Sequence, residues 1–280
     1  MEIFRNIQSF RSWRKEKYGK IGFCPTMGAL HEGHVSLINK SKKYCDYTIV
    51  SIFINPLQFN DINDLKKYPS NIENDLKIIK NYEVDAVFLP NDNIMYSKDS
   101  STYVEEVRLS KNMESESRPK HFIGVTTVVA KLFNITQPTH AFFGEKDAHQ
   151  LRIIKKVVKD LNYNIKIIPC RTIRETSGLA MSSRNKNLTI KDRKKAKIIK
   201  QSLDLAKIAL DNGEKSVDNI KKIIKFKIKS EPNMSLIYVS ISNSQTLEEI
   251  SHISCDNLLI SIAVKLNNIR LIDNITYDFS

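Results

Sequence analysis

Residues Tyr47 to Ile54 (Tyr-Thr-Ile-Val-Ser-Ile-Phe-Ile) form a near-continuous β-branched and apolar run that stops at Asn55-Pro56. A strand with one wet face alternates apolar and polar residues, whereas this run is apolar at most positions. It predicts a strand buried on both faces, as in a parallel sheet covered by helices. The neighbouring segments repeat the theme. Ile21 to Pro25 reads as a strand, then a turn containing Gly28 and Gly33, then a helical pattern resuming at Val35-Ser36-Leu37-Ile38. A helix over about Ile72 to Tyr82 leads to a strand over Ala86 to Leu89, closed by Pro90. Val125 to Asn134 reads as an apolar helix, Ala141 to Phe143 as a strand and Gly144 to Asp147 as a loop. Gln150 to Asp160 follows as a helix and Ile165 to Pro169 as a strand. This alternation predicts an α/β fold: a Rossmann-like, doubly wound parallel sheet with ligands at the carboxyl ends of its strands.

After Asn187 the pattern changes. Two helices, about Asp192 to Leu210 and Val217 to Lys229, precede strands over Ser235 to Ile241, Leu258 to Val264 and Ile269 to Ile272. Helices grouped before strands predict a small α+β C-terminal domain. At 280 residues the chain exceeds one average domain. The expected domains are residues 1–176 and 177–280.

The formal net charge of +13 raises the question of nucleic acid. The basic residues are dispersed, and their densest cluster, Lys191 to Lys197, opens an amphipathic helix whose lysines would form a solvated face. No aromatic-interleaved stretch offers a base-stacking platform, so no nucleic-acid partner is expected. No apolar run approaches the roughly 20 residues needed to cross a bilayer, so no membrane partner is expected either. Met1 to Arg5 lack a basic-then-apolar leader pattern, which predicts a cytoplasmic protein. Cys24, Cys45, Cys170 and Cys255 are widely spaced among apolar neighbours and read as buried small hydrophobes, not as metal ligands or disulfides.

Chemistry concentrates in Leu30-His31-Glu32-Gly33-His34. The two histidines are three apart, on one face of a helix that begins there. A zincin would need them four apart, and no third metal ligand with suitable spacing follows. The better reading is electrostatic: backbone N–H groups at a helix start attract anions, the glycines admit a phosphate, and imidazoles can donate to developing charge. Gly144-Glu145-Lys146-Asp147 lies on the rim where a nucleotide would bind, with a lysine for phosphate and an aspartate for ribose hydroxyls. Met181-Ser182-Ser183-Arg184-Asn185 offers two hydroxyls and a guanidinium for a pyrophosphate leaving group, or equally a capped helix start.

Taken together, these residues resemble the pantothenate synthetase (pantoate–β-alanine ligase) family of the HIGH nucleotidyltransferase superfamily. The likeness runs through Pro25 to His34, Ser51 to Phe59, Tyr68-Pro69, Arg118-Pro119, His121-Phe122, Gly124-Val125, Phe143 to Asp147 with Gln150, and Gly178 to Asn185. The resemblance implies condensation of pantoate with β-alanine using ATP and Mg²⁺, through pantoyl adenylate, releasing AMP and pyrophosphate in pantothenate biosynthesis. It makes the first domain the ATP- and pantoate-binding one and implies a homodimer. By the same resemblance, Met27, Gly28, Ala29, Leu30, His31, Glu32, Gly33 and His34 line the ATP phosphates. His34 is then the proton donor and His31 a supporting donor. Gln58 and Gln150 hold pantoate, with Gln58 also near β-alanine. Gly144 and Asp147 meet the ribose beside Glu145, and Lys146 meets phosphate. The main chain of Ile173 and Met181 meets adenine. Ser182, Ser183, Arg184 and Arg118 clamp the triphosphate, and Asp75 stands near the metal.

The chain departs from the family pattern at Ser70, Lys120 and Ser177, where arginine, a small residue such as glycine, and aspartate are usual. None replaces a residue expected at the reacting atoms. Two rivals stand beside the ligase: a nucleotidyltransferase of the same superfamily acting on a phosphorylated acceptor, and a basic nucleic-acid-binding protein with a vestigial site.

Overall fold

The computed structural model describes residues 1–253 and 257–279, so Cys255 lies outside the described residues. The chain divides into two compact units. The first, residues 1–110, 118–145 and 150–171, is built on a six-stranded parallel sheet. Its strands are β1 (Glu2–Phe4), β2 (Ile21–Thr26), β3 (Tyr47–Ile52), β4 (Ala86–Phe88), β5 (His140–Gly144) and β6 (Lys166–Cys170), in the order β1-β4-β3-β2-β5-β6. From β2 the chain winds outward through β3 and β4, then returns to β5 and β6 on the other side. The doubly wound α/β reading is correct, and the winding direction reverses between β2 and β5. In sheets of this kind the ligand crevice lies beyond the carboxyl ends of the two strands at such a reversal. Gly22 and Phe23 pair with His140 and Ala141 near the amino ends of β2 and β5, which sets the register of the two strands.

β3 is the central run that the sequence marks most strongly. Thr48 to Ile52 are all buried, as a strand covered on both faces requires. The helix His121–Thr136 has thirteen of its sixteen residues buried, so it shows an apolar stretch in place of an amphipathic period. The first strand and the helix Ile7–Lys15 escape the sequence pattern. They are held by an aromatic cluster in which Phe10 lies 5.5 Å from Phe4, 5.7 Å from Trp13 and 5.2 Å from Phe88. Arg14 then donates to the carbonyls of Thr136 at 3.0 Å and Gln137 at 2.7 Å, satisfying the end of the buried helix. Cys24 and Cys170 are buried as expected, but Cys45 is only half-buried. Burial pushes the thiols of Cys45 and Cys170 up to about 11, so neither is a thiolate at neutral pH.

Lys120 caps the start of helix His121–Thr136 in the left-handed region, at φ 69°, and its side chain makes no capping hydrogen bond. A Cβ in that region costs energy that glycine avoids, which accounts for the small residue usual there in the family it resembles. Lys120→Gly is expected to raise stability by roughly 0.5–1 kcal/mol, the relieved strain exceeding the added freedom of the unfolded chain. A urea melt showing an unchanged or lower midpoint would contradict this account.

The second unit comprises residues 111–117, 146–149 and 172–280. It contains an antiparallel sheet of β7 (Met234–Asn243), β8 (Asn257–Leu266) and β9 (Ile269–Asp278), with helices Ile190–Asp211 and Val217–Lys229. This is the expected α+β element order. Ala196, Ile198, Ile199, Ile220, Ile224 and Ile228 face the core, while Lys191, Arg193, Lys194 and Lys197 form an exposed face, as their spacing predicts. A bidentate pair of Arg174 with the buried Asp273, at 2.6 and 2.9 Å, joins the entry to this unit to its last strand. Among the described residues, no helix is long and apolar enough to cross a membrane.

Candidate functional site

β2 ends at Thr26, and the helix Glu32–Tyr44 starts six residues later. Hydrogen bonds hold most of the intervening turn. Gly28, at φ 78°, donates to Thr26 Oγ1 at 3.2 Å, and Thr26 itself donates to the Ser51 carbonyl at 2.8 Å. The N–H groups of Ala29 and Leu30 donate to the two carboxylate oxygens of Asp75, each at 2.8 Å. Asp75 lies in the first turn of helix Ile72–Lys80 and is 1% exposed. A Cβ on Gly28 would come within 2.9 Å of that carboxylate, so the close approach and the positive φ both require glycine.

The two histidines close the helix start. His31 is the N-cap, and its Nδ1 accepts from the Gly33 N–H at 3.1 Å. His34 reciprocates: its Nδ1 accepts from the His31 N–H at 3.3 Å, completing a capping box built from imidazoles. The rings lie 4.1 Å apart, tilted by 39°. An Nδ1 that accepts from a backbone N–H cannot carry a proton, so each neutral ring holds its proton on Nε2. The N–H groups of Gly28, Ala29, Leu30, His31 and Gly33 all have partners, in the loop itself or on Asp75, so these five amides are already engaged. The donors suited to an anion are the Nε2–H groups of His31 and His34.

A second cluster surrounds Gln58, in the short turn Pro56–Gln58 after β3. Asn55 is fully buried and donates through Nδ2 to Gln58 Oε1 at 3.0 Å and to the Gly124 carbonyl at 2.9 Å. Its Oδ1 accepts from the Tyr96 hydroxyl at 3.0 Å and the Leu57 N–H at 3.3 Å. The Gln58 carbonyl accepts from Arg118 Nη2 and His121 Nδ1, both at 2.9 Å. The His121 tautomer therefore carries its proton on Nδ1 and turns Nε2 to Arg118 Nη1, 3.4 Å away. Gly124 packs so closely on this turn that a Cβ would collide with the Leu57 carbonyl.

The structure thus places Met27 to His34 and Asp75 in one arrangement, and Gln58 with Arg118 in another, both within the first unit. Gln150 is half-buried in the first turn of helix Ala148–Asp160. At the end of β5, a Cβ on Gly144 would meet nothing within 4 Å, so packing does not dictate the glycine. Glu145 beside it is half-buried. In the second unit, Lys146 Nζ lies 3.4 Å from Asp147 Oδ1, and the Lys146 carbonyl accepts from Asn274 at 2.8 Å. Met181 N–H donates to the Ile173 carbonyl at 2.9 Å. Ser182 caps the short turn Ser183–Asn187, accepting from Arg184 N–H at 3.3 Å, and Ser183 is buried. Among the described residues, no group of three histidine, cysteine or acidic side chains could hold a metal ion. Asp75, whose oxygens both face amides, is placed to brace the turn.

Asn55, Tyr96 and His121 were not singled out as site residues by sequence. Asn55-Pro56 signals only a turn, and nothing local marks Tyr96, which is brought to Asn55 from 41 positions away.

A family model described as pantoate-beta-alanine ligase matches residues 2–276. A pantothenate synthetase of Acetivibrio thermocellus is 47% identical over 275 residues, covering 98% of each chain. The crystal structure of pantothenate synthetase from Thermus thermophilus superposes with a TM-score of 0.92 at 33% identity, covering 98% of this chain and 99% of that one. A pantoate-beta-alanine ligase from Francisella tularensis, complexed with beta-gamma ATP and beta-alanine, gives a TM-score of 0.80 at 37% identity, covering 98% and 97%.

Proposed function

This chain belongs to the pantoate–β-alanine ligase family, and from that premise we propose that it joins the two substrates through a pantoyl adenylate, releasing AMP and pyrophosphate. The enzyme is an ATP-binding ligase of pantothenate biosynthesis.

A carboxylate is a poor electrophile, so the pantoate carboxylate must first attack the α-phosphorus of ATP. The bond to the bridging oxygen breaks, and its electron pair leaves with pyrophosphate. Negative charge grows on the α-phosphate and on the departing oxygen. The observation that carries the reading is the paired imidazoles, whose Nδ1 atoms both accept from backbone N–H groups. The Nε2–H on each ring is the proposed donor to that charge, with His34 as the principal donor and His31 supporting it. In the second step the β-alanine amine attacks the acyl carbon and AMP leaves.

Gln58 and Gln150 are proposed to hold pantoate. Gly144, Glu145, Lys146, Asp147, Ile173, Met181, Ser182, Ser183, Arg184 and Arg118 are proposed nucleotide ligands, on the strength of the family resemblance. Mg²⁺ belongs to the proposal as a companion of the nucleotide. Among the described residues no group forms a cage for it, and a magnesium ion bound chiefly by phosphates and water needs none. No step is assigned to Asp75 as a ligand. A homodimer, a cytoplasmic location, domains at 1–176 and 177–280, and the absence of nucleic-acid and membrane partners complete the proposal.

The test is isotope exchange. Purified enzyme with ATP and Mg²⁺ is expected to exchange labelled pyrophosphate into ATP only when pantoate is present, and to release AMP once β-alanine is added. Exchange without pantoate, or transfer of the nucleotidyl group to a phosphorylated acceptor as final product, would overturn it.

A further inference from the structure

Gln58 carries two chemically opposite ends on one planar amide, and a ligand that meets the wrong end loses a donor. The question is what decides which end faces out. Gln58 Oε1 accepts from Asn55 Nδ2 at 3.0 Å, which leaves the Gln58 NH₂ as the outward donor. That assignment holds only while Asn55 keeps its own amide in one orientation. The Gly124 carbonyl can only accept, which favours Nδ2 on that side at 2.9 Å. On the Oδ1 side, the backbone donor is the Leu57 N–H at 3.3 Å, and the Tyr96 hydroxyl reaches the same oxygen at 3.0 Å.

We propose that Tyr96 is a positioning residue: through Asn55 it holds the Gln58 amide with its NH₂ toward the acid substrate. The inference rests on the reading of Gln58 as a pantoate ligand. The hydroxyl can fill this role because its own position is fixed. Tyr96 follows the short helix Asp92–Met95, and its ring lies 6.1 Å from that of Phe53, with Lys131 Nζ at 5.7 Å from its centroid. Burial also raises the Tyr96 hydroxyl well above the ordinary tyrosine range, with the bond to Asn55 only partly opposing this, so it remains a proton donor at working pH. Asn55 is fully buried, so no water can readily replace a lost donor at Oδ1.

Tyr96→Phe keeps the ring and deletes only the donor. In pantoate-dependent pyrophosphate exchange, the variant is expected to raise KM for pantoate roughly three- to tenfold, the range one net hydrogen bond supplies. KM for ATP should stay within about twofold, since no contact to the His31 turn is altered. The effect should disappear when Tyr96→Phe is added to Asn55→Ala, because the pathway is already cut. An unchanged pantoate KM in Tyr96→Phe would overturn the proposal. So would an equal rise for ATP, or full additivity with Asn55→Ala. Wild-type enzyme without pantoate-dependent exchange would instead sink the ligand reading of Gln58 itself.

Discussion

His34→Asn is expected to slow pantoyl-adenylate formation by about 10²–10³-fold, the usual cost of removing one donor aimed at developing charge. The asparagine Oδ1 occupies much the same place as the imidazole Nδ1, so it can still accept from the His31 N–H that His34 holds at 3.3 Å. The capping box survives and the reach of Nε2 is lost. His34→Ala removes both, and should lose roughly 1 kcal/mol of stability in addition to the rate. His34→Gln places an amide nitrogen nearer the former Nε2 and should recover part of the rate. Single-turnover adenylation and ATP affinity, measured on all three variants, separate the two functions of the ring. If ATP binding falls as far as the rate does, His34 acts on the ground state and the transition-state role is wrong.

Gly124→Ala is the second large effect, and it acts through space alone. The added methyl would collide with the Leu57 carbonyl, a backbone atom that cannot rotate aside. The turn Pro56–Gln58 must move, and the Asn55 bond to the Gly124 carbonyl moves with it. Overpacking of this kind costs roughly 1–3 kcal/mol of stability. Displacing a substrate ligand by about 1 Å can cost on the order of 10²-fold in kcat/KM. Thermal melts and pantoate kinetics on the same preparation should show both losses. Wild-type kinetics in a stably folded variant would mean that the turn does not set the position of Gln58.

The sheet was legible because its determinant is local. The run over Tyr47–Ile52 needs no partner to announce burial on both faces, and the periodic helices on either side of it need none either. β1 was not legible for the opposite reason. Glu2–Phe4 is short, and what places it is the ring contact of Phe4 with Phe10 and Trp13 together with pairing to β4. The same division runs through the site. His31 and His34 are neighbours on one turn, so their spacing and the flanking glycines carried the signal. Asp75 was picked out by resemblance, but its bonds to Ala29 and Leu30 span 46 and 45 positions, and no periodicity encodes such a contact. Arg118 likewise was picked out by resemblance, and its bond to the Gln58 carbonyl, spanning 60 positions, is one that no local pattern encodes.

Those two bonds from Asp75 also decide when the turn loses its freedom. A loop that orders only around its ligand gives up roughly 0.5–1.5 kcal/mol of affinity for each side chain it immobilises. Here the ordering takes place as the chain folds, since helix Ile72–Lys80 grips the Ala29–Leu30 segment from within the protein itself. In its proposed role against the ATP phosphates, a preset turn leaves more of the nucleotide's binding energy for the bond-breaking step, where it lowers the barrier.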